Sequence, residues 1–214
     1  MKTVLCYGDS NTYGYNPENG LRFPEDVRWT GILQRRLGKE YRVIEEGCNG
    51  RTTVFEDPLE GWKNGLSYLK PCLNSHKPVD FVILMLGSND LKESFHASAD
   101  QIAFGAAQLV ETIQTFTAAK QGFVPKILLV SPLYIGEGIH TSPFYGRFLE
   151  NAITRSKEFA KKYGEVAQKY HCEFADASKW AQPSATDSLH MNADGHRAFA
   201  QGLSAYMKKV YNIP

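Results

Sequence analysis

Four short polar clusters carry the residue types that acyl chemistry needs: Gly8-Asp9-Ser10, Gly50-Arg51-Thr52, Gly87-Ser88-Asn89-Asp90 and Asp187-Ser188-Leu189-His190. A serine hydroxyl is a weak nucleophile until a base takes its proton during attack on a carbonyl. His190 suits that task, because an imidazole titrates near physiological pH. Asp187 lies three residues earlier, so one loop can present both, with the carboxylate orienting the ring and stabilising the imidazolium. The tetrahedral intermediate places negative charge on the former carbonyl oxygen. Its candidate donors are the backbone N–H groups of Ser10 and Gly50 and the side-chain amide of Asn89; losing one such donor typically costs about 10²–10³ in turnover. Taken singly, Ser10 reads equally as a helix cap, Asn89 as a turn residue and Asp187 as the cap of the last helix. Asp9 reads as a structural residue of its turn.

Clusters so widely spaced need a scaffold that gathers them. Apolar runs read as strands lead into the first three: 4–8, 41–45 and 80–86, the last being Asp-Phe-Val-Ile-Leu-Met-Leu. Further strands are expected at 126–130 and 173–176. Helical spacing or composition marks 26–37, 61–73, 97–120, 144–170 and 193–210. Strands alternate with helices and no segment reads as a hairpin. The expected fold is therefore a three-layer α/β/α sandwich in a single domain over 1–214. Its parallel five-stranded sheet is expected to have the flavodoxin-like order 2-1-3-4-5. All strand C-termini then lie along one edge, and the clusters meet in its crevice.

Composition narrows the partners. Basic residues number 24 and acidic residues 23, a net charge of +1 with no block of like charge, which removes the usual footprint of nucleic acid or an anionic membrane. No apolar run approaches the length of a transmembrane helix, so no membrane insertion is expected. Asp9 arrives too early for a signal peptide, and the expected location is cytoplasmic. Cys6, Cys48, Cys72 and Cys172 are widely spaced with no Cys-x-x-Cys, and read as free thiols. No metal and no cofactor is expected.

The blocks Gly8-Asp9-Ser10, Gly50, Gly87-x-Asn89-Asp90 and Asp187-x-x-His190 resemble the four blocks of the SGNH hydrolase (GDSL-type esterase/lipase) superfamily across almost the whole chain. Asn11 stands where the family pattern has leucine. Residues 26–31 and the stretch from Glu45-Glu46-Gly47 to Arg51-Thr52-Thr53 are similar to the arylesterase and acyltransferase subgroup. The resemblance implies a serine esterase of short-chain acyl esters, such as acetyl esters of aryl or sugar alcohols, working through an acyl-enzyme. It also implies acyl transfer as an accompanying activity and, often, assembly into a homo-oligomer. Ser10, Asp187 and His190 would be catalytic, and Ser10, Gly50 and Asn89 would form the oxyanion hole. Lysophospholipase or thioesterase chemistry belongs to the same superfamily.

Asn11, Tyr13, Tyr15 and Arg51 are candidates for binding substrate, as is Trp29, although core packing suits the aromatic ones and loop pinning suits Arg51. His196 reads as a packing or surface residue; His76, His96, His140 and His171 read as solvated. Rival functions fare worse. The α/β-hydrolase elbow needs a second glycine where Thr12 stands, and a nucleotide site needs Gly-x-Gly-x-x-Gly or a Walker lysine, both missing. An inactive carbohydrate- or ligand-binding module and a metal-dependent phosphohydrolase using Asp9, Asp90 and Asp187 remain as alternatives.

Overall fold

Each apolar run of the sequence forms a strand in a computed structural model that describes residues 1–213. They are β1 (Lys2–Gly8), β2 (Tyr41–Gly47), β3 (Phe81–Met85), β4 (Lys126–Ser131) and β5 (Glu173–Asp176). Every pairing is parallel, and the order is β2-β1-β3-β4-β5, as expected. Pleating sends alternate side chains to opposite faces. Leu5, Tyr7, Val82, Leu84 and Leu129 face one core, while Val4, Cys6, Ile83, Met85 and Leu128 face the other. The first core is covered by α3 (Gly65–His76), α4 (Ala99–Gln121) and α6 (Phe159–Lys169), the second by α2 (Trp29–Leu37) and α7 (Ala193–Tyr211). The three layers follow from strands that are apolar on both sides. Among the described residues, no helix is long and apolar enough to cross a membrane.

Helix boundaries are set by caps that the apolar spacing did not locate. α4 starts after Ser98, which forms a capping box with Gln101, and ends at Gly122 with φ +81°. α3 starts late because Asn64 caps it, accepting from the N–H groups of Leu66 and Ser67, and it continues through Pro71 to His76. α2 starts at Trp29, since residues 24–28 close a turn on Pro24. The single helix expected over 144–170 is two, α5 (Asn151–Lys157) and α6, preceded by an irregular segment. That segment turns at Gly146 (φ +91°), and Phe144 and Phe148 both point into the same cleft, which a regular helix would not require.

The edge of the sheet is built for close approach. β1 and β2 end side by side at Gly8 and Gly47, and the short helix α1 (Ser10–Tyr13) lies directly over the pair. A Cβ on Gly47 would sit 2.0 Å from the backbone nitrogen of Tyr13, and one on Gly8 would sit 2.1 Å from Thr12 Oγ1. Only the missing side chains let α1 settle there. Gly47→Ala should therefore lower the melting temperature, with a stability loss of about 1–3 kcal/mol from overpacking. Because the clash is with the backbone that carries Ser10, kcat/KM of the folded variant should fall as well. Unchanged kcat/KM, measured well below the variant's melting temperature, would show that α1 is positioned by other contacts.

Candidate active site

Ser10 is presented by strand, turn and helix in succession. Asp9, not Ser10, is the N-cap of α1: its Oδ1 accepts from the Asn11 N–H at 2.9 Å, and Gly14 closes the helix at φ +87°. The Ser10 hydroxyl is thereby left free to point over the sheet edge.

The histidine loop is organised by one buried carboxylate. Asp187 is 1% exposed, and its Oδ1 accepts from the N–H groups of Leu189 and His190, each at 2.9 Å. Its Oδ2 lies 2.6 Å from His190 Nδ1, and His190 Nε2 lies 2.8 Å from Ser10 Oγ. With Nδ1 donating to the carboxylate, Nε2 is the acceptor for the serine hydroxyl. Ser188 takes φ +58° so that the loop can curl around Asp187. Asp187 does not cap α7; Asn192 does, accepting from the Gly195 N–H at 2.8 Å.

The three candidate donors belong to Ser10 and to residues that line one cleft with it. The Ser10 N–H opens α1, where a helical N–H has no acceptor within the helix. Gly50 sits in a turn closed by Arg51 N–H on Cys48 O at 3.1 Å, and its own φ of +80° favours glycine. Asn89 gives one amide hydrogen to Arg51 O at 3.2 Å and has a second to offer. Ser10, Gly50, Asn89 and His190 all line one cleft of about 110 Å³. The chain matches the family model described as GDSL-like lipase/acylhydrolase over residues 6–198.

The chain belongs to this family, whose members are ester-hydrolysing enzymes. Among solved structures, it is similar to the native aryl esterase of M. smegmatis, with 36% identity and a TM-score of 0.91, covering 98% of this chain and 100% of that one. It is likewise similar to a carbohydrate acetylesterase family member from Sinorhizobium meliloti, with 34% identity and a TM-score of 0.93, covering all of both chains. A comparison with curated protein sequences finds no match.

In this GDSL-family chain, the residues expected at the substrate divide. Tyr15 is in the cleft, its ring 4.4 Å from that of His190. Asn11 is turned away: Oδ1 accepts from the Met191 N–H at 2.9 Å, and Nδ2 reaches Leu189 O at 3.4 Å. It ties α1 to the histidine loop instead of binding substrate. Arg51 is also withdrawn. Its Nη1 donates to Gly8 O at 3.0 Å and to Glu46 O, and the guanidinium lies 4.3 Å over the Tyr7 ring, so it pins the ends of β1 and β2. Tyr13 lies under the Arg22 guanidinium at 4.5 Å, outside the cleft, and Trp29 is core, its indole N–H on Asn11 O at 3.0 Å.

Sequence reasoning missed the rest of the cleft wall. Phe144, Phe148 and Leu189 supply its apolar side; Asn49, Glu60, Lys92 and Arg147 supply its polar side. Arg147 pairs with Glu60 at 2.6 Å, and the buried Lys92 pairs with Asp57 at 2.6 Å. Lys92 follows Asp90 by two residues and could have been marked from that block; Arg147 carried no signal. Among the other histidines, His196 is fully buried, and His76 is half-buried on Glu46 at 2.8 Å rather than solvated. His96, His140 and His171 are exposed, as expected.

Burial dominates the remaining charges. It pushes the Asp9 carboxyl up to about 6, against the opposing Asn11 N–H and the nearby His190 and Arg51. It pushes Asp90 up to about 7, with the Thr53 hydroxyl and N–H opposing and Asp9 reinforcing. His196 moves the other way, to about 3, chiefly through burial, with the positions of His190 and Arg28 adding to the cost of a proton there. Asp9, Asp90 and Asp187 are each engaged with backbone or hydroxyl groups, and among the described residues they do not come together as a ligand set.

A carboxyl whose folded value is raised makes the native state hold its proton longer than the unfolded chain. Its contribution to stability is complete below the unfolded value near 4 and declines as pH rises through about 7. His196 slopes oppositely, so the readout is the difference between proteins. Asp90→Asn should gain on the wild type steadily between pH 4 and 7 in urea midpoints. A constant difference over that range would mean that Asp90 ionises as an ordinary surface carboxyl does.

Proposed function

We propose that this GDSL-family enzyme is a serine esterase that cleaves short-chain acyl esters, acetyl esters foremost, through an acyl-enzyme. One observation carries the reading: Asp187 Oδ2, His190 and Ser10 Oγ form a continuous relay with contacts of 2.6 and 2.8 Å. Ser10 Oγ attacks the ester carbonyl as its proton passes to His190 Nε2, and Asp187 stabilises the imidazolium. The oxyanion is received by the N–H groups of Ser10 and Gly50 and by Asn89 Nδ2. His190 then returns the proton to the leaving alcohol. Water, activated by the same imidazole, releases the acid; an alcohol in place of water gives acyl transfer by the same route.

The acyl size follows from the wall. A cleft of about 110 Å³ bounded by Tyr15, Phe144 and Phe148 suits an acetyl group far better than a fatty chain. The kinship with an aryl esterase and a carbohydrate acetylesterase supports aryl or sugar alcohols as the leaving side.

The test is hydrolysis of p-nitrophenyl acetate, butyrate and octanoate by wild type and Ser10→Ala. Wild type should turn over acetate fastest and octanoate slowest, and Ser10→Ala should lose ~10⁴-fold or more in kcat. Asp187→Asn should stay folded yet lose ~10³–10⁴ in kcat, because the imidazole then takes the wrong tautomer. Equal activity in wild type and Ser10→Ala would remove Ser10 as the nucleophile. A preference for octanoate would overturn the short-acyl assignment while leaving the nucleophile intact.

A further inference from the structure

A second cluster of reactive side chains lies beneath the outer strand, apart from the cleft of Ser10. Cys72 and His76 stand four residues apart on α3 and so share one face of that helix. The carboxylate of Glu46, from the C-terminal end of β2, faces them. The Cys72 sulfur, a ring nitrogen of His76 and a carboxylate oxygen of Glu46 all lie within 4.8 Å of one another. Nothing in the hydrolytic relay uses any of the three.

We propose that Glu46, Cys72 and His76 bind one divalent transition cation of the zinc type. Tetrahedral zinc with bonds of about 2.0–2.3 Å holds its ligand atoms roughly 3.3–3.7 Å apart. The present contact between His76 Nε2 and Glu46 Oε1 is 2.8 Å, so the two need part by only a fraction of an ångström. The donor set, one sulfur, one imidazole and one carboxylate, selects a borderline-soft ion and disfavours magnesium or calcium, which take all-oxygen shells.

Charge agrees with this choice. Arg51 lies close by, its guanidinium 5.4 Å from the ring of Tyr68 on the same helix, and would repel a site of net positive charge. A dication held by one thiolate and one carboxylate is neutral. Burial pushes the Cys72 thiol up, so the thiol is protonated until an ion arrives. Binding then breaks the S–H bond, forms the sulfur–metal bond and releases that proton to buffer. A cavity of about 500 Å³ bordered by Glu46, Cys48, Arg51 and Trp62 opens beside the cluster, and of the three ligands Glu46 lines it. That cavity shares no lining residue with the cleft of Ser10. An ion here would clip β2 to α3.

Titration of metal-free protein with Co²⁺ tests the site. One equivalent should bring up a thiolate-to-cobalt charge-transfer band in the near ultraviolet, which Zn²⁺ should bleach by displacement. Cys72→Ser should abolish the band, Cys48→Ser should leave it, and Glu46→Gln and His76→Gln should each weaken binding by at least ~10-fold. Zn²⁺ but not Mg²⁺ should raise the melting temperature of the wild type. Should Cys72→Ser fail to fold, the half-exposed His76→Gln decides the matter by affinity, with esterase activity as its check on folding. No thiolate band in the wild type at saturating Co²⁺, a band that survives Cys72→Ser, or unaltered affinity in His76→Gln would each overturn the assignment.

Discussion

A carboxylate 1% exposed has to be satisfied where it lies, and the way Asp187 is satisfied shapes the whole site. One oxygen draws in the N–H groups of Leu189 and His190, which curls the loop and forces Ser188 to φ +58°. The other oxygen is thereby left with the imidazole alone. Ring orientation, tautomer and reach toward Ser10 are consequences of that division. Leaving such a carboxylate unpaired would cost several kcal/mol. The loop therefore has little freedom to take another shape, and the histidine arrives already oriented.

Orientation within the loop is useless unless the loop is fixed against Ser10, 180 residues away. Asn11 makes that connection. Its amide accepts from Met191 and donates to Leu189, so the residue after Ser10 holds both neighbours of His190. α1 is in turn seated on Gly8 and Gly47, and Arg51 fastens the carbonyls of Gly8 and Glu46 from below. The buried Asp9 and Asp90 lie in the same layer, and burial rather than pairing dominates both. Both acids, pushed upward by burial, stand next in sequence to Ser10 and Asn89 rather than elsewhere in the fold. That is where strain is commonly tolerated for the sake of a fixed geometry.

The sequence made the sheet legible, because a strand buried on both faces must be a continuous apolar run, and β3 reads as one without ambiguity. The relay was legible for a different reason: its residue types are irreplaceable, and strand ends leave them one place to meet. What stayed hidden depends on partners distant in sequence. Asn11 reads as a substrate contact until Met191 is seen beside it. Arg51 reads equally as a substrate contact or a loop pin until the carbonyls it holds are known. The segment 144–150 has helical composition, yet Phe144 and Phe148 are drawn into the cleft and Gly146 turns the chain between them. Cys72 looks like one more position of a helix and His76 like a solvated residue beyond its end, and only Glu46 on a strand opposite gives their spacing a meaning.

The cleft is also asymmetric in a way that bears on the alcohol side of the proposed reaction. Its apolar wall of Tyr15, Phe144 and Phe148 lies against the imidazole, with Phe144 5.4 Å from the His190 ring. Apolar rings against the imidazole lower the local dielectric and so strengthen its electrostatics. Lys92 and Arg147 would make the opposite wall cationic, but each is answered at 2.6 Å, by Asp57 and Glu60. Glu60 is shared with the buried Lys63 at 3.6 Å, so the wall is paired without being neutral. Its donors are already engaged by carboxylates, and a substrate hydroxyl that binds there has to compete with those bonds. Selectivity for the leaving alcohol then lies in how its hydroxyls meet groups that are already paired.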